Sequence, residues 1–288
     1  MARPLATAEP VHGQGGPGAP NESPTMVANS LTERDQLAQI RLTTAAVIPA
    51  YREEKHVGDV VRRTRLQLAH VLVVDDGSND QTARRAREAD AEVIIHSQNR
   101  GKGEAIKTGL RHWLAVASPS AGGLDRQFAR VIILDADGQH LPEEIDRFLA
   151  AAATAVTPSF FLGNRMNNLA GMPFIRRVVN RYMSRPISRL CGQTIPDTQC
   201  GFRMLDRQLI SELLGPESVQ GFDYETEMLI IASRKGYHIE SIPITTVYSD
   251  EVSNIRPVRD AIRFFKLMRR YRKLRRIDTI GSCVDSVD

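Results

Sequence analysis

The chain has no apolar run approaching the roughly 18–20 residues that a membrane-spanning helix needs. Its longest candidate, Phe148 to Val156, is short and alanine-rich. The N-terminus, MARPLATAEPVHGQGG, lacks the apolar block of a secretory signal. Cysteine is scarce: Cys191, Cys200 and Cys283 form no C-x-x-C pair, which argues against a disulfide framework and for reduced thiols. No G-x-G-x-x-G follows the first strand candidate, so a dinucleotide dehydrogenase is disfavoured. No internal repeat is found, and no nucleic-acid fold or aromatic platform that would imply a nucleic-acid partner. These absences lead to the expectation of a cytoplasmic chain.

What remains is an ordinary enzyme composition. With 288 residues, 42% hydrophobic and 25% charged, the chain can bury one large α/β core and is neither disordered nor membrane-spanning as a whole. The net charge of +4 hides a segregation. Residues Arg256 to Arg276 hold ten Lys/Arg against one acid, Asp260, a local +9, so the rest of the chain is net −5.

Residues 1–30, rich in Pro, Gly and Ala, read as a disordered tail. The body alternates apolar runs with helical patterns. Strands are expected at Thr44–Pro49, Val71–Asp75, Glu92–His96, Val131–Asp135 and Ser159–Gly163, with helices at Glu53–Leu68, Asp80–Ala89, Lys102–Val116 and Pro142–Ala153. The second half predicts helices Pro173–Leu190, Arg207–Leu214 and Tyr224–Lys235, then a strand His238–Val247. Continuous apolar strands between amphipathic helices imply an α/β domain over 31–256, a mainly parallel sheet flanked by helices. A C-terminal basic amphipathic helix is expected over 257–276, followed by a tail, 277–288.

In such sheets ligands bind beyond the carboxyl ends of the strands. Three strand ends here carry polar or acidic clusters: Pro49-Ala50-Tyr51-Arg52-Glu53-Glu54, Asp75-Asp76-Gly77-Ser78-Asn79-Asp80 and Asp135-Ala136-Asp137-Gly138-Gln139-His140. Like charges gathered at one edge need a cation or donors between them. Asp135 and Asp137 flank a single residue, and their hard oxygens suit Mg²⁺ or Mn²⁺, with Gln139 able to add a carbonyl oxygen. Gly101-Lys102-Gly103, opening a helix, either cradles a phosphate or is a structural loop.

In order along the chain, VIPAYREEKHV (47–57), VVDDGSNDQT (73–82), NRGKGEAIKTGL (99–110), DADGQHLPEEI (135–145), GNRM (163–166), DTQCGFRML (197–205) and YETEML (224–229) resemble glycosyltransferase family 2. Within it the series is most similar to the polyprenyl-phosphate (dolichyl-phosphate) mannose or glucose synthases. The resemblance implies a single-domain GT-A fold and an inverting sugar transfer from a nucleotide-diphosphate sugar, of the GDP-mannose or UDP-glucose class. It implies that Pro49, Tyr51 and Glu53, with Asp75 and Asp76, line the nucleoside pocket. Asp135 and Ala136 would meet the donor, Asp135, Asp137 and Gln139 the metal, and Arg165 and Arg203 the phosphates. Asp137, Asp197, Arg165 and Arg203 form the implied catalytic set. One departure stands out: Asn254 occupies a position where the family has a lysine, and Arg256, two residues on, offers a replacement charge.

The acceptor stays open between two chemistries. A phosphate, with a second pKa of about 6, is already a nucleophile at neutral pH. A sugar hydroxyl or other small acceptor would need a general base, for which Asp197 is the candidate. A non-catalytic sugar-nucleotide binder is a third reading. In the last predicted helix Val258, Ile262, Phe265, Met268, Tyr271 and Leu274 recur at helical spacing with basic residues between them. Such a face either packs on the core or lies on an anionic membrane surface, which would place the protein peripherally on the inner face of the membrane beside a polyprenyl-phosphate acceptor.

Overall fold

Seven short runs rich in Val, Ile and Leu form one sheet: β1 (Thr44–Ala50), β2 (His70–Asp75), β3 (Glu92–Ile95), β4 (Arg130–Ile133), β5 (Ser159–Asn164), β6 (Arg203–Asp206) and β7 (His238–Pro243). In this computed structural model the described residues are 34–116, 128–157, 159–167, 172, 174–215 and 224–247. The expected tails, Asn254, Arg256 and the helix at 257–276 lie outside them. The helices are α1 (34–42), α2 (Val57–Gln67), α3 (Thr82–Glu88), α4 (Lys102–Val116), α5 (Ile145–Thr154), α6 (Phe174–Cys191), α7 (Arg207–Leu213) and α8 (Tyr224–Arg234).

The strand order is β3-β2-β1-β4-β6-β5-β7. Every residue of β1 is buried, as a central strand covered on both faces requires. Pairing is parallel except that β6 runs antiparallel to both β4 and β5. The sheet is therefore mainly parallel, as expected, with one antiparallel strand that sequence patterning missed. β6 has four residues and opens on an arginine, too short and too polar at its start to register as an apolar run. Helix α1 was likewise not foreseen.

The β1–β2 ladder continues to Ala50 opposite Asp75, whereas the β1–β4 ladder stops at Val47 opposite Ile133. Val47 turns its carbonyl to the Leu134 N–H (3.2 Å). Two residues on, the same edge of β1 carries Pro49, which has no N–H to extend the ladder, and the strands part. The order departs to opposite sides from β1 and β4, the kind of switch point at which α/β sheets open a crevice. Three expected boundaries shift for local reasons. β4 ends at Ile133, because the chain leaves the sheet there. Helix α2 begins at Val57 instead of Glu53, since residues 53–56 form a turn in which His56 and Val57 both donate to the Glu53 carbonyl. β7 ends at Pro243, and Thr246 forms an isolated bridge to His140.

Helix α4 lies against β1 and fixes where its N-terminus meets the crevice. A Cβ at Gly109 would stand 2.5 Å from Val47 Cγ1, so only glycine allows this approach. Trp113 Nε1 donates to the Ala46 carbonyl at 3.1 Å, pinning the next turn. Gly109→Ala is expected to destabilise the protein by up to about 2 kcal/mol, an overpacking cost of about 1–3 kcal/mol less the ~1 kcal/mol that alanine gains over glycine within a helix. Chemical denaturation of the two proteins measures this, and an unchanged or raised midpoint would contradict the packing account.

Candidate active site

The first two strand ends are stitched to each other. Arg52 adopts a left-handed backbone (φ 59°), uncommon for a side chain with a Cβ, and its N–H donates to Ser78 Oγ at 2.9 Å. The Glu53 N–H donates to Thr82 Oγ1 at 2.9 Å. Tyr51 emerges from this turn 39% exposed, with the Arg52 guanidinium 5.1 Å from its ring centre. Pro49 lies buried one step inside. Of the residues expected to line a nucleoside pocket, Tyr51 is the one that turns an aromatic face outward.

Asp75 and Asp76 are buried, and their oxygens serve the protein. Asp75 Oδ1 accepts the Ser78 N–H at 3.0 Å. Asp76 Oδ1 accepts from His96 Nδ1 (2.7 Å) and the Arg100 N–H (2.9 Å), while Oδ2 accepts the Gly101 N–H (2.7 Å). Asp76 thus ties β2 to the loop that starts α4. Gly77, at φ +74°, closes the junction, since a Cβ there would meet the Gln98 carbonyl carbon at 2.5 Å.

At the third strand end Asp135 is tightly confined. A Cβ on Gly201 would stand 2.4 Å from Asp135 Oδ2, so the carboxylate rests against a glycine that cannot be enlarged without moving it. The Lys102 ammonium, in the first turn of α4, lies 2.6 Å from Oδ1 and 3.0 Å from Glu225 Oε1 on α8. The contact with Oδ1 is off the hydrogen-bonding direction, and that oxygen, shut off from solvent, has no aligned donor. Burial opposes its charge, but the Lys102 ammonium outweighs burial and pushes Asp135 down to about 2. Burial likewise works against the Lys102 charge, yet Asp135 and Glu225 raise that group above its ordinary value. Asp137 moves the other way: burial and the neighbouring Asp135 charge raise it. One carboxylate is held as an anion, and the other ionises less readily until more positive charge arrives.

Around this pair the loop is closed by its own backbone. Gln139 N–H donates to Asp137 Oδ1 (2.9 Å), and Gln139 Oε1 receives Arg176 NH1 of α6 at 3.5 Å. Gly138 takes φ +73°. His140 is buried, its Nδ1 3.5 Å from the Asp135 N–H and its Nε2 3.8 Å from Cys200 Sγ. Burial pushes this imidazole down to about 4 and keeps it neutral.

Arg165 and Asp197, expected as separate groups, form one unit. Asp197, 1% exposed, accepts Arg165 Nε at 2.7 Å and the Arg165 N–H at 3.2 Å on Oδ2, and Arg165 NH2 at 2.9 Å and the Gln199 N–H at 3.2 Å on Oδ1. Four donors occupy the in-plane acceptor sites of one carboxylate. Arg203 does not sit where a phosphate contact was expected. It is fully buried, with Nε on the Cys200 carbonyl (2.8 Å), NH2 on the Thr198 carbonyl (3.2 Å) and NH1 on the Glu225 carbonyl. Its guanidinium fastens the 197–201 loop and the start of α8, and so sets Gly201 against Asp135.

The donor set bears on a divalent metal. Among the described residues no cluster of three or more His, Cys, Asp or Glu side chains could hold one. Two carboxylates and a side-chain carbonyl do suit a hard cation that completes its shell with water and substrate phosphates, and Asp135 Oδ1 is a buried anion lacking an aligned donor. The residues fit a metal that arrives with a diphosphate better than one held by the protein alone.

The family model for glycosyl transferase family 2 matches residues 45–214, more than half of the chain and all three strand ends. The chain belongs to this family. The family 2 chain is 29% identical over 227 residues to a UDP-N-acetylglucosamine–dolichyl-phosphate N-acetylglucosaminyltransferase of Methanococcus voltae, covering 71% of this chain and 85% of that one. It is 29% identical over 215 residues to a polyprenol monophosphomannose synthase of Mycolicibacterium smegmatis, covering 70% and 76%. Its fold is shared with glucosyl-3-phosphoglycerate synthase of Mycobacterium tuberculosis, solved with Mn²⁺, uridine diphosphate and glucosyl-3-phosphoglycerate, at TM-score 0.55, 17% identity and 82% coverage of each chain. Like it, the family 2 chain has a GT-A-type sheet flanked by helices.

Glu225 and Gly201 were not singled out in the sequence, Lys102 was read only as part of a phosphate-cradling or structural loop and His140 only as the end of the third strand-end cluster, although each lies within a motif that carried the resemblance. Their type alone gave no signal, because each acts through a neighbour distant in sequence. His140 yields a test. Its folded value near 4 lies below the ordinary 6.5, so between these values the unfolded chain binds more protons, and stability falls as pH drops from about 6.5 towards 4. Replacing His140 with glutamine should flatten that part of the melting temperature–pH profile. An unaltered slope would show that the ring does not carry it.

Proposed function

We propose that this protein transfers a hexose, with inversion, from a nucleoside-diphosphate sugar to a polyprenyl phosphate at a membrane surface. The observation that carries the acceptor choice is the saturated Asp197 carboxylate. A hydroxyl acceptor needs a base with a free lone pair, whereas Asp197 spends its acceptor sites on Arg165 and Gln199. A phosphate acceptor needs positioning only, being anionic at neutral pH. Its oxygen attacks the anomeric carbon, the bond to the diphosphate oxygen breaks, and the nucleoside diphosphate leaves with the electron pair. The named activities of the Methanococcus and Mycolicibacterium relatives, both transfers to or onto polyprenyl-type lipids by name, support this reading.

In this reading Asp135 and Asp137 would hold Mg²⁺ or Mn²⁺, which would supply Lewis-acid stabilisation to a leaving diphosphate. Tyr51 offers a face for the nucleobase. Arg165 follows β5 directly and is oriented by Asp197, and a guanidinium there is the residue type that suits a phosphate. A panel of UDP- and GDP-sugars against polyprenyl phosphate, with 3-phosphoglycerate as a small rival acceptor, tests the proposal. Transfer to the lipid, abolished by chelator and lowered about 10²-fold or more by Asp137→Asn, is the expected outcome. Transfer to 3-phosphoglycerate alone would replace the lipid reading, and undiminished transfer in chelator would remove the metal.

Helix α6 supports the membrane part. None of the helices among the described residues is long and apolar enough to cross a membrane. Phe174, Val178 and Tyr182, one turn apart on α6, are 73%, 50% and 64% exposed. Arg181, Arg185 and Arg189 run exposed beside them. An apolar stripe edged by arginines suits the interface of an anionic bilayer, and Arg176 on the same helix touches Gln139 beside the acidic pair. The double change Phe174→Ser with Tyr182→Ser should weaken binding to phosphatidylglycerol vesicles about tenfold or more, since each buried aromatic contributes roughly 1.5–3 kcal/mol. Wild-type binding should also weaken with salt. Equal sedimentation of both proteins with vesicles would count against α6.

A further inference from the structure

We propose that Lys102 is an internal counter-ion occupying the place on Asp135 that a divalent cation would take, so that metal binding is tied to arrival of the donor diphosphate. This deepens the transfer reading and rests on it. The Lys102 ammonium sits 2.6 Å from Asp135 Oδ1, the oxygen with no aligned donor, so a cation approaching that oxygen meets the ammonium first. The carboxylate of Asp135 lies close against Gly201, which leaves it little room on that side. The helix that carries Lys102 is closely packed on both sides as well. Gly109 seats it on Val47, and a Cβ at Gly103 would meet Tyr224 Cβ at 2.8 Å.

The side chain itself can move. It is 39% exposed on a flexible four-carbon stem, and Glu225 Oε1 at 3.0 Å is a second partner that keeps the ammonium compensated once Asp135 is given up. Without a donor, a divalent cation at Asp135 would face a positive charge a few ångström away, an arrangement that Asp137 offsets only in part. The two phosphates of a donor add the negative charge that lets the metal and the ammonium coexist. Metal and nucleotide then each tighten the binding of the other by the same factor, as linkage requires.

The test is Mn²⁺ binding to the full chain, followed by the electron paramagnetic resonance signal of free Mn²⁺, with and without UDP or GDP. Lys102→Met should bind Mn²⁺ alone about tenfold more tightly than the wild type, and nucleotide should then add less to its affinity. Glu225→Gln, which leaves the ammonium to Asp135, should shift Mn²⁺ binding the opposite way and covers the case in which Lys102→Met fails to fold. Equal or weaker Mn²⁺ binding by Lys102→Met, or tighter binding by Glu225→Gln, overturns the counter-ion while leaving the transfer reading intact. A wild type that takes up no Mn²⁺ even with saturating UDP and GDP overturns both the counter-ion and the metal in the proposed function.

Discussion

Crowding of carboxylates at one edge of the sheet is the constraint on which the rest of the site depends. Asp135, Asp137 and Glu225 approach from two elements far apart in sequence, and like charges so placed must be compensated or protonated. The protein uses both answers. Lys102 stands against Asp135 and Glu225, and Asp137 is left with a raised affinity for its proton. Each answer demands a precise position of backbone: α4 seated through Gly109, the Asp135 carboxylate against Gly201, and the 197–201 loop fastened by Arg203. The charge pattern is therefore a property of packing as much as of composition.

Several polar groups that look chemical in sequence turn out to hold the loops. Asp76 spends its oxygens on His96, Arg100 and Gly101, and Arg203 spends its donors on three carbonyls. A buried polar group without partners would be costly, and these two are instead the points at which separate loops are tied. The division of labour is plain at the third strand end. Asp135 and Asp137 carry the charge of this strand end, while His140, neutral and buried against Cys200 and Phe202, supports the turn.

The ion pair of Arg165 and Asp197 decides how the acceptor is read. A carboxylate in a motif shared with sugar transferases invites the role of base, and only its four donors show that its lone pairs are engaged. The same pair holds the guanidinium of Arg165 in one orientation through a two-pronged contact. Helix α6 extends this logic outward. Its arginines and exposed aromatic residues lie on the element that also reaches Gln139, so an exposed basic and apolar surface and the acidic strand end share one helix.

Read alone, the sequence determined the strands of the first half, their acidic ends and the family, because buried parallel strands declare themselves as unbroken apolar runs and ligands gather where those runs stop. It also placed α6 as a helix, but apolar residues one turn apart read equally well as a core stripe, and only the packing shows Phe174, Val178 and Tyr182 facing out. β6 escaped notice because four residues opening on an arginine carry no periodicity. The partners of Asp135, the duty of Arg203 and the engagement of Asp197 were decided by tertiary structure. Each depends on groups brought together from about 20 to more than 60 residues apart or on a loop conformation, and a distance through space leaves no trace in spacing along the chain.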